Sequence, residues 1–171
     1  MVLDDVESYA NAQSRLDYCA EAEEMRRGEE VGVSLAERLC GMKNEYVNLE
    51  VRGGRRWELR ILDCSQYWLH GENRHNELVI SLPSIIAVSD TAGVTRGYAH
   101  GINAKISLAG TVRRMADKYG ELNIYYEDKC VRGRIWRVGK DYIDLVRAGK
   151  CSAYSLAHIA CIEGVGLGQW S

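Results

Sequence analysis

The sequence lacks phenylalanine altogether and has a single proline among its 171 residues. Its large apolar side chains are therefore aliphatic or belong to tyrosine and tryptophan. No apolar run approaches the roughly 20 residues that a membrane-spanning helix needs. The acidic start MVLDDVESYANA has no secretory pattern. We expect a cytoplasmic protein that does not enter a membrane.

Cysteine is present, but not in the close pairs that metal sites and redox motifs use. The six cysteines include no C-x-x-C pair, and without a secretion signal reduced thiols are expected. Cys64, His70 and His75 carry zinc-binding side chains, yet zinc needs four converging donors and the spacing supplies no fourth. We expect these three to be turn and strand residues, Cys161 to be a small core residue, and the protein to hold no metal and no cofactor.

The net charge of −2 conceals an uneven distribution along the chain. Residues 1–33 carry nine acids and three bases, whereas residues 107–162 carry six acids and ten bases. An acidic segment, with apolar residues at approximate helical spacing, therefore precedes a neutral and then a basic part of the chain. Such an asymmetry is either solvated surface or an electrostatic binding feature.

Two segments of the chain repeat one another. The helical pattern SLAERLCGM returns as SLAGTVRRM 73 residues later, and the same offset pairs Leu49 with Leu122. From Arg60 and Arg134 onward the offset is 74, and one residue inserted in the first hairpin would account for the change. A match of this length with one insertion indicates an internal duplication.

Each repeat has the pattern of a short helix followed by five short strands. After a capping serine, Ser34 or Ser107, apolar residues recur first at helical spacing and then in alternation. A repeat of about 55–60 residues is too short for an open sheet covered on both faces, so we expect a small, strongly bent barrel. The expected divisions are an acidic helical arm (1–33), a first unit (34–88), a linker (89–106), a second unit (107–162) and a flexible tail (163–171).

The second unit carries a family resemblance. CSAYSLAHIACI occupies the place of the second Sm signature, and the first signature is similar to the pattern Gly133-x-Ile135-x-x-Val138-x-x-Asp141-x-Ile143-x-Leu145. The chain thus resembles the Sm-like fold, an SH3-like small barrel, and a group of bacterial proteins that carry this unit twice. The resemblance implies a mainly β fold with short helices: two tandem Sm-like barrels, each a helix plus five strands, behind an N-terminal helical arm. It also implies association through the edges of the fourth and fifth strands.

The sequence departs from the Sm family at the positions used for uridine-rich RNA. That family usually has an asparagine in the first signature, where this chain has Asp144 and, in the first unit, His70. The second signature lacks the basic residue followed by glycine and has Ala157 and His158 instead. These differences favour a protein partner over RNA.

Basic residues on the second strand of each unit, and at the bend that follows it in the second unit, are the candidates for nucleic-acid binding. Arginine beside an exposed aromatic such as Trp136 serves phosphate binding and base stacking together. The alternative is that acids such as Glu58 pair with these arginines across strands, at little gain in stability. The candidate residues are Arg56, Arg60, Arg132, Arg134, Arg137 and Lys140.

No catalytic constellation stands out, so we expect no enzyme and no catalytic residue. The Gly164-x-Gly166-x-Gly168 run is not followed by the helix that a dinucleotide loop needs, and nothing marks His158 as a general base. The leading hypothesis is a binding or assembly module that contacts another protein or itself, as a homo-oligomer. The alternative is weak binding of single-stranded RNA or DNA through the basic second unit. In either case we expect the two units to pack edge to edge or face to face.

Overall fold

The computed structural model describes residues 32–89 and 107–166. The helical arm predicted over residues 1–33, nearly all of the predicted linker and the last residues of the predicted tail lie outside these ranges. The described chain is mainly β, with two short helices and one ten-stranded antiparallel sheet. No helix within the described ranges is long and apolar enough to cross a bilayer.

The helices are α1 (Leu35–Gly41) and α2 (Leu108–Tyr119). The strands in residues 32–89 are β1 (Tyr46–Val51), β2 (Arg55–Cys64), β3 (Trp68–Glu72), β4 (Asn76–Ser81) and β5 (Ile85–Ser89). The strands in residues 107–166 are β6 (Leu122–Tyr126), β7 (Lys129–Val138), β8 (Tyr142–Arg147), β9 (Lys150–Ser155) and β10 (Ile159–Val165). A 3₁₀ turn, Leu82–Ser84, separates β4 from β5.

The strand order repeats within the single sheet. The order is β5-β1-β2-β3-β4-β10-β6-β7-β8-β9, so the fifth strand of each half lies beside its first, and the fourth lies at the far side. We refer to residues 34–89 as the N-terminal half and to residues 107–165 as the C-terminal half. The two halves join where β4 pairs with β10, which confirms the expected edge-to-edge contact.

Helix α2 begins at the predicted capping serine and ends at a glycine. The Ser107 hydroxyl accepts a hydrogen bond from the Gly110 N–H at 3.3 Å, which satisfies one of the free N–H groups of the first turn. Val112 and Met115 are fully buried one turn apart. Gly120 then ends the helix with φ of 77°, a conformation that residues with a Cβ adopt only under strain.

Strands β2 and β7 are about twice as long as most of their neighbours. The first part of each pairs with one strand, and the second part pairs with another. In β2, residues 55–60 pair with β1 and residues 60–64 with β3. In β7, residues 129–133 pair with β6 and residues 134–138 with β8. A one-residue bulge in each strand, at Leu62 and at Trp136, interrupts the second pairing. Bulges of this kind bend a strand and redirect a side chain.

The structure corrects the alignment of the two repeats. Pairing with β2 and β7 places Val47 and Leu122 at equivalent positions, an offset of 75. The predicted match of Leu49 with Leu122 at an offset of 73 is therefore wrong. Burial on alternate residues, and not letter identity, sets strand register.

Two length differences replace the single predicted insertion. Helix α2 is five residues longer than α1, and the offset rises from 73 at Met42 and Met115 to 75 at the first strand. The β6–β7 turn then has only Glu127 and Asp128, whereas the β1–β2 turn has three residues, 52–54. The offset of 74 expected from the second strand onward is retained.

The C-terminal boundary also differs from the expected one. Strand β10 runs to Val165, so Glu163, Gly164 and Val165 belong to the sheet and not to a flexible tail from residue 163. These residues stay in the sheet because they pair with Leu78, Glu77 and Asn76 of β4.

The apolar residues form two clusters, one in each half. Leu39, Leu59 and Leu69 are fully buried in the N-terminal cluster, and Ile124 and Ile143 are fully buried in the C-terminal one. Cys161 is 1% exposed and packs in the N-terminal cluster, which confirms the prediction of a core cysteine. Strand β10 therefore contributes to the core of the opposite half.

In each half, a glycine on one strand packs against a leucine on the neighbouring strand, and the two halves place these residues on opposite strands. In the N-terminal half, a Cβ on Gly71 would lie 2.5 Å from the Leu59 side chain. In the C-terminal half the equivalent residues are Gly133 on the second strand and Leu145 on the third. A Cβ on Gly133 would lie 2.7 Å from the Val146 carbonyl oxygen and 2.9 Å from the Leu145 side chain. Each half thus accommodates one large side chain at this position and excludes a second.

We predict that Gly133→Ala destabilises the protein by about 1–3 kcal/mol, because the added methyl overpacks a site bounded by backbone. Gly110→Ala is the matched control, since its Cβ would meet nothing closer than 3.7 Å. In the exposed helix this change should stabilise by about 0.5–1 kcal/mol. Urea denaturation followed by circular dichroism measures both, and equal effects at the two positions would contradict the packing argument.

Candidate interaction surfaces

The junction of the two halves is a fully formed strand pairing. Five residue pairs, from Cys161 opposite Ile80 to Val165 opposite Asn76, join β10 to β4. The Ser84 hydroxyl adds a hydrogen bond to the Ala160 carbonyl oxygen at 3.0 Å. We call this β4–β10 contact the seam. The interior residues of both strands are buried there.

A buried carboxylate on β4 ties the seam to helix α2. Glu77, 5% exposed, lies 2.8 Å from His70 Nε2 and accepts hydrogen bonds from Arg114 and Lys118 at 3.0 Å each. The Tyr119 hydroxyl donates a further bond at 3.2 Å. Burial alone would raise the pKa of Glu77, but hydrogen bonds with Lys118 and His70 and the nearby positive charge lower it to about 2. The carboxylate therefore stays ionised and holds the C-terminal helix to the N-terminal half.

A second buried carboxylate, Glu163 on β10, is held differently. It accepts hydrogen bonds from the side-chain amides of Asn76 at 2.7 Å and Asn123 at 3.0 Å, and a short one from the Tyr125 hydroxyl. Burial, and then the bond to Glu163, raises the pKa of Tyr125. These three partners are neutral donors, so hydrogen bonding rather than pairing with a cation stabilises this carboxylate.

Within the described chain, each half has one strand edge without a neighbouring strand. Strand β5 pairs with β1 alone, and β9 pairs with β8 alone. These two open edges are the fifth strand of one half and the fourth strand of the other, the same kinds of strand that meet in the seam. Unpaired backbone at a sheet edge is a template for pairing with another chain.

Exposure at the open edges contrasts with burial at the equivalent positions of the seam. Ile86 on β5 is 64% exposed, whereas its equivalent Ala160 on β10 is 4% exposed. Leu35 on α1 is 41% exposed, whereas its equivalent on α2, Leu108, packs in the C-terminal cluster. Every residue of β9 is exposed except half-buried Tyr154. The open edges are therefore seam surfaces without a partner strand.

The basic residues predicted from the sequence do not form a single site. Arg56 pairs with Glu50 at 3.2 Å, and Arg60 pairs closely with Glu72 in the N-terminal half. Arg132 pairs with Glu121 at 3.1 Å in the C-terminal half. Cross-strand pairing with acids, the alternative reading, accounts for these three, although the partners are not Glu58.

The remaining basic candidates are Arg134 and Arg137, on either side of an exposed tryptophan in β7, and Lys140 in the turn that follows. Trp136, 63% exposed, sits at the bulge of β7 between Arg134 and Arg137. Arg137 lies 4.0 Å from Asp144, and no ion pair within the described ranges involves Arg134 or Lys140. The bulge thus presents an aromatic face beside cationic side chains.

The candidate metal and catalytic residues are separate from one another. Cys64 is buried, with its thiol directed to the Ala36 carbonyl oxygen, His70 faces Glu77, and His75 lies in the β3–β4 turn. Within residues 32–89 and 107–166, no three histidine, cysteine or acidic residues converge on a common point. His158 lies in an exposed turn before β10 and not within that strand.

Sequence reasoning missed Glu77 and Glu163. Both lie within the apolar strand patterns ELVIS and IACIEGV. A carboxylate inside such a pattern signals a buried polar contact, because charged residues are almost never fully buried unless partnered.

In a comparison with models of known protein families, no family model matches this chain. No curated protein matches it either.

We predict that Glu77→Gln destabilises the folded chain by about 1.5–3 kcal/mol at neutral pH, because it removes charged hydrogen bonds at a buried site. The pKa of Glu77 is lowered to about 2 from an ordinary 4.5. Its contribution is therefore complete above pH 4.5 and is lost as the pH falls through 2. Denaturant unfolding across this range should show wild type and Glu77→Gln converging in acid.

The matched control for this prediction is Asp63→Asn. Asp63 forms an exposed pair with Lys43 at 3.8 Å, and exposed pairs contribute about 0–1 kcal/mol. If Asp63→Asn destabilises as much as Glu77→Gln, or if the gap between wild type and Glu77→Gln persists at low pH, the assigned role of the buried carboxylate is wrong.

Proposed function

We propose that the protein is a non-enzymatic, cytoplasmic assembly module built of two tandem Sm-like barrels behind a helical arm. Its copies associate head to tail, with the β9 edge of one copy added to the β5 edge of the next. The observation that carries this proposal is the seam. One chain already joins a fourth strand to a fifth strand, and it leaves one strand of each kind open.

The seam supplies the register of the proposed contact. Transferring the β10–β4 pairing to the open edges sets Ala87 opposite Tyr154, Val88 opposite Ala153 and Ser89 opposite Ser152 of the next copy. The same transfer brings exposed Leu35 and Ile86 against the partner, where their equivalents in the seam are covered.

The two edges differ, so the contact is heterologous. A heterologous contact joins two different surfaces, so each added copy leaves one open β5 edge and one open β9 edge. Copies therefore add until a ring closes, or they form an open filament. The protein then acts as a scaffold, and the number of binding surfaces that the scaffold presents is set by the number of copies in the assembly.

We predict that Ile86→Lys abolishes concentration-dependent association while leaving the fold intact. The side chain is 64% exposed in the single chain, so a charge there costs little until a partner strand covers it. Light scattering of the full chain over a wide range of concentrations measures the change.

Tyr67→Lys is the control, because Tyr67 is 61% exposed but precedes β3, in the middle of the strand order. The wild type and Tyr67→Lys should associate alike. A wild-type chain that stays monomeric at every concentration, or equal loss of association in both variants, would refute the proposed edge contact. A disulfide between copies in the Val88→Cys, Ala153→Cys double variant provides a test of register.

Trp136 favours a second candidate function, the binding of single-stranded nucleic acid. An exposed indole held at a bulge, beside Arg134 and Arg137, combines a stacking face with phosphate-binding groups. Exposed Lys140, in the turn that follows β7, adds a further positive charge near the end of that strand.

We predict for this candidate that Trp136→Ala weakens the binding of oligouridylate by about 1–3 kcal/mol, the contribution of one stacked base. Arg134→Gln should lower the slope of log affinity against log salt by about 1. Fluorescence polarisation at low and moderate salt measures both, with Tyr67→Ala as the control for losing an exposed aromatic. No binding at low salt would eliminate this function.

A further inference from the structure

A groove lies beside the open edge of β5 in the N-terminal half. It has a volume of about 380 Å³, and its lining residues are Asn48, Leu49, Glu50, Arg56 and Ser89. Asn48 and Ser89 are exposed, and the Glu50 side chain is 36% exposed. The groove therefore belongs to the surface that a strand added to β5 would approach.

The equivalent positions of the C-terminal half are covered within the seam. Tyr125 on β6 is the equivalent of Glu50, because each pairs with the second residue of the strand that follows. Glu163 is the equivalent of Ser89 in the same way, through its pairing with the first strand of its half. Glu163 is 3% exposed, whereas Ser89 is exposed. Where the N-terminal half has a groove, the C-terminal half thus has a filled contact.

Side chains from the start of β2 cover this part of the C-terminal half. The guanidinium carbon of Arg55 lies 4.4 Å from the centre of the Tyr125 ring, a distance typical of a cation–π contact. Arg55 also donates hydrogen bonds to the carbonyl oxygens of Glu127 at 3.3 Å and Asp128 at 3.4 Å. The Trp57 indole meets the Tyr125 ring at a centroid distance of 6.1 Å. Arg55 therefore joins the first residue of β2 to the β6–β7 turn of the opposite half.

The open edges carry a charged version of this contact. Lys129 is the equivalent of Arg55, since each is the first residue of the second strand and pairs with the last residue of the first strand. Lys129 is exposed. Transferring the geometry of the seam to the open edges places the Lys129 ammonium group of one copy over Glu50 of the next copy. A cation that faces an aromatic ring in the seam then faces a carboxylate, which attracts it directly.

The contact between copies is more open to water than its counterpart in the seam. Val131 stands where the seam has Trp57, so a smaller side chain covers the charged pair. Glu50 also pairs with Arg56 of its own chain at 3.2 Å. Solvated ion pairs are screened by salt and add little to affinity. They do select partners, because like charges that face one another across a contact are unfavourable.

We infer that Glu50 in this groove binds Lys129 of a second copy of the chain, and that this ion pair selects the β9 edge as the partner of β5. The inference rests on the proposed assembly through β5 and β9, and it names the two residues that decide its specificity. The groove has one occupant in this arrangement, the start of β7 from the neighbouring copy.

Charge reversal in two separate chains tests the ion pair. Glu50→Lys sets a lysine against Lys129, and Lys129→Glu sets a carboxylate against Glu50. Each variant alone should associate about tenfold more weakly than the wild type in light scattering at low salt, because a weak attraction becomes a repulsion. An equimolar mixture of the two variants should recover wild-type association, since every contact in an alternating order joins a lysine to a glutamate.

Two controls make the same changes of charge away from the open edges. Glu121→Lys breaks an exposed pair with Arg132 at 3.1 Å in the C-terminal half, as Glu50→Lys breaks the pair with Arg56. Arg113→Glu changes an exposed residue of α2. Both controls should associate as the wild type does. Equal weakening in the controls would assign the effect to net charge and overturn the inference.

Failure of the ion pair is distinguishable from failure of the assembly. If the wild type associates, Ile86→Lys does not, and both charge-reversal variants associate as the wild type does, the ion pair is wrong and the edge contact stands. Weakened association that mixing does not restore, in chains shown by their melting temperatures to be folded, would also overturn the ion pair. A wild-type chain that stays monomeric at every concentration would overturn both proposals.

Neutral variants provide the same test should Glu50→Lys fail to fold. Glu50→Gln and Lys129→Gln should each weaken association, and the double variant should associate no more weakly than either single one, because the two side chains act as one pair. Losses that add in the double variant would show that the two residues act independently and would overturn the inference.

Discussion

The pairing of β4 with β10 is the contact on which the rest of the molecule depends. Leu78 and Ile80 of β4 pack in the N-terminal cluster, whereas Val79 between them packs in the C-terminal one. Strand β10 divides its residues in the same way, with Cys161 in one cluster and Ile162 in the other. Each half therefore completes its core with side chains of the other, so separating the halves would expose both cores. This explains why both strands are continuous apolar runs where a half-buried strand would alternate.

The two buried carboxylates give the seam its specificity. Apolar residues alone tolerate a shift of strand register, because a run of leucine, isoleucine and valine remains apolar after sliding by two residues. A shift of register between β4 and β10 would carry Glu77 away from Arg114 and Lys118, and Glu163 away from Asn76, which leaves each buried charge without some of its partners. Breaking such contacts is costly. We infer that the apolar run supplies most of the stabilisation and the carboxylates select one register.

Much of the architecture could be predicted from the sequence. The repeat and the position of nearly every strand follow from alternation and turn residues, since these signals are local. The register between the repeats does not. Leu49 and Leu122 share a letter but lie opposite different partners, because the longer α2 and the shorter β6–β7 turn change the spacing twice.

The sequence pattern alone also leaves open which fourth strand pairs with which fifth strand inside the chain. The apolar residues of β4 and β10 favour the observed choice over β9 with β5, because β9 reads KCSAYS and has little apolar surface to bury. Lys150 at its start discourages indiscriminate pairing.

The open edges lack the charged contacts of the seam, and this difference limits the strength of association between copies. At the open edges the position of Glu77 is taken by Cys151, and that of Arg114 by Gly41, so the charged contact that ties α2 to the seam has no equivalent between copies. The intramolecular seam also benefits from the high effective concentration of two halves in one chain. In the proposed assembly, contacts between copies are therefore weaker than the seam, and the unit that assembles is the whole chain rather than one of its halves.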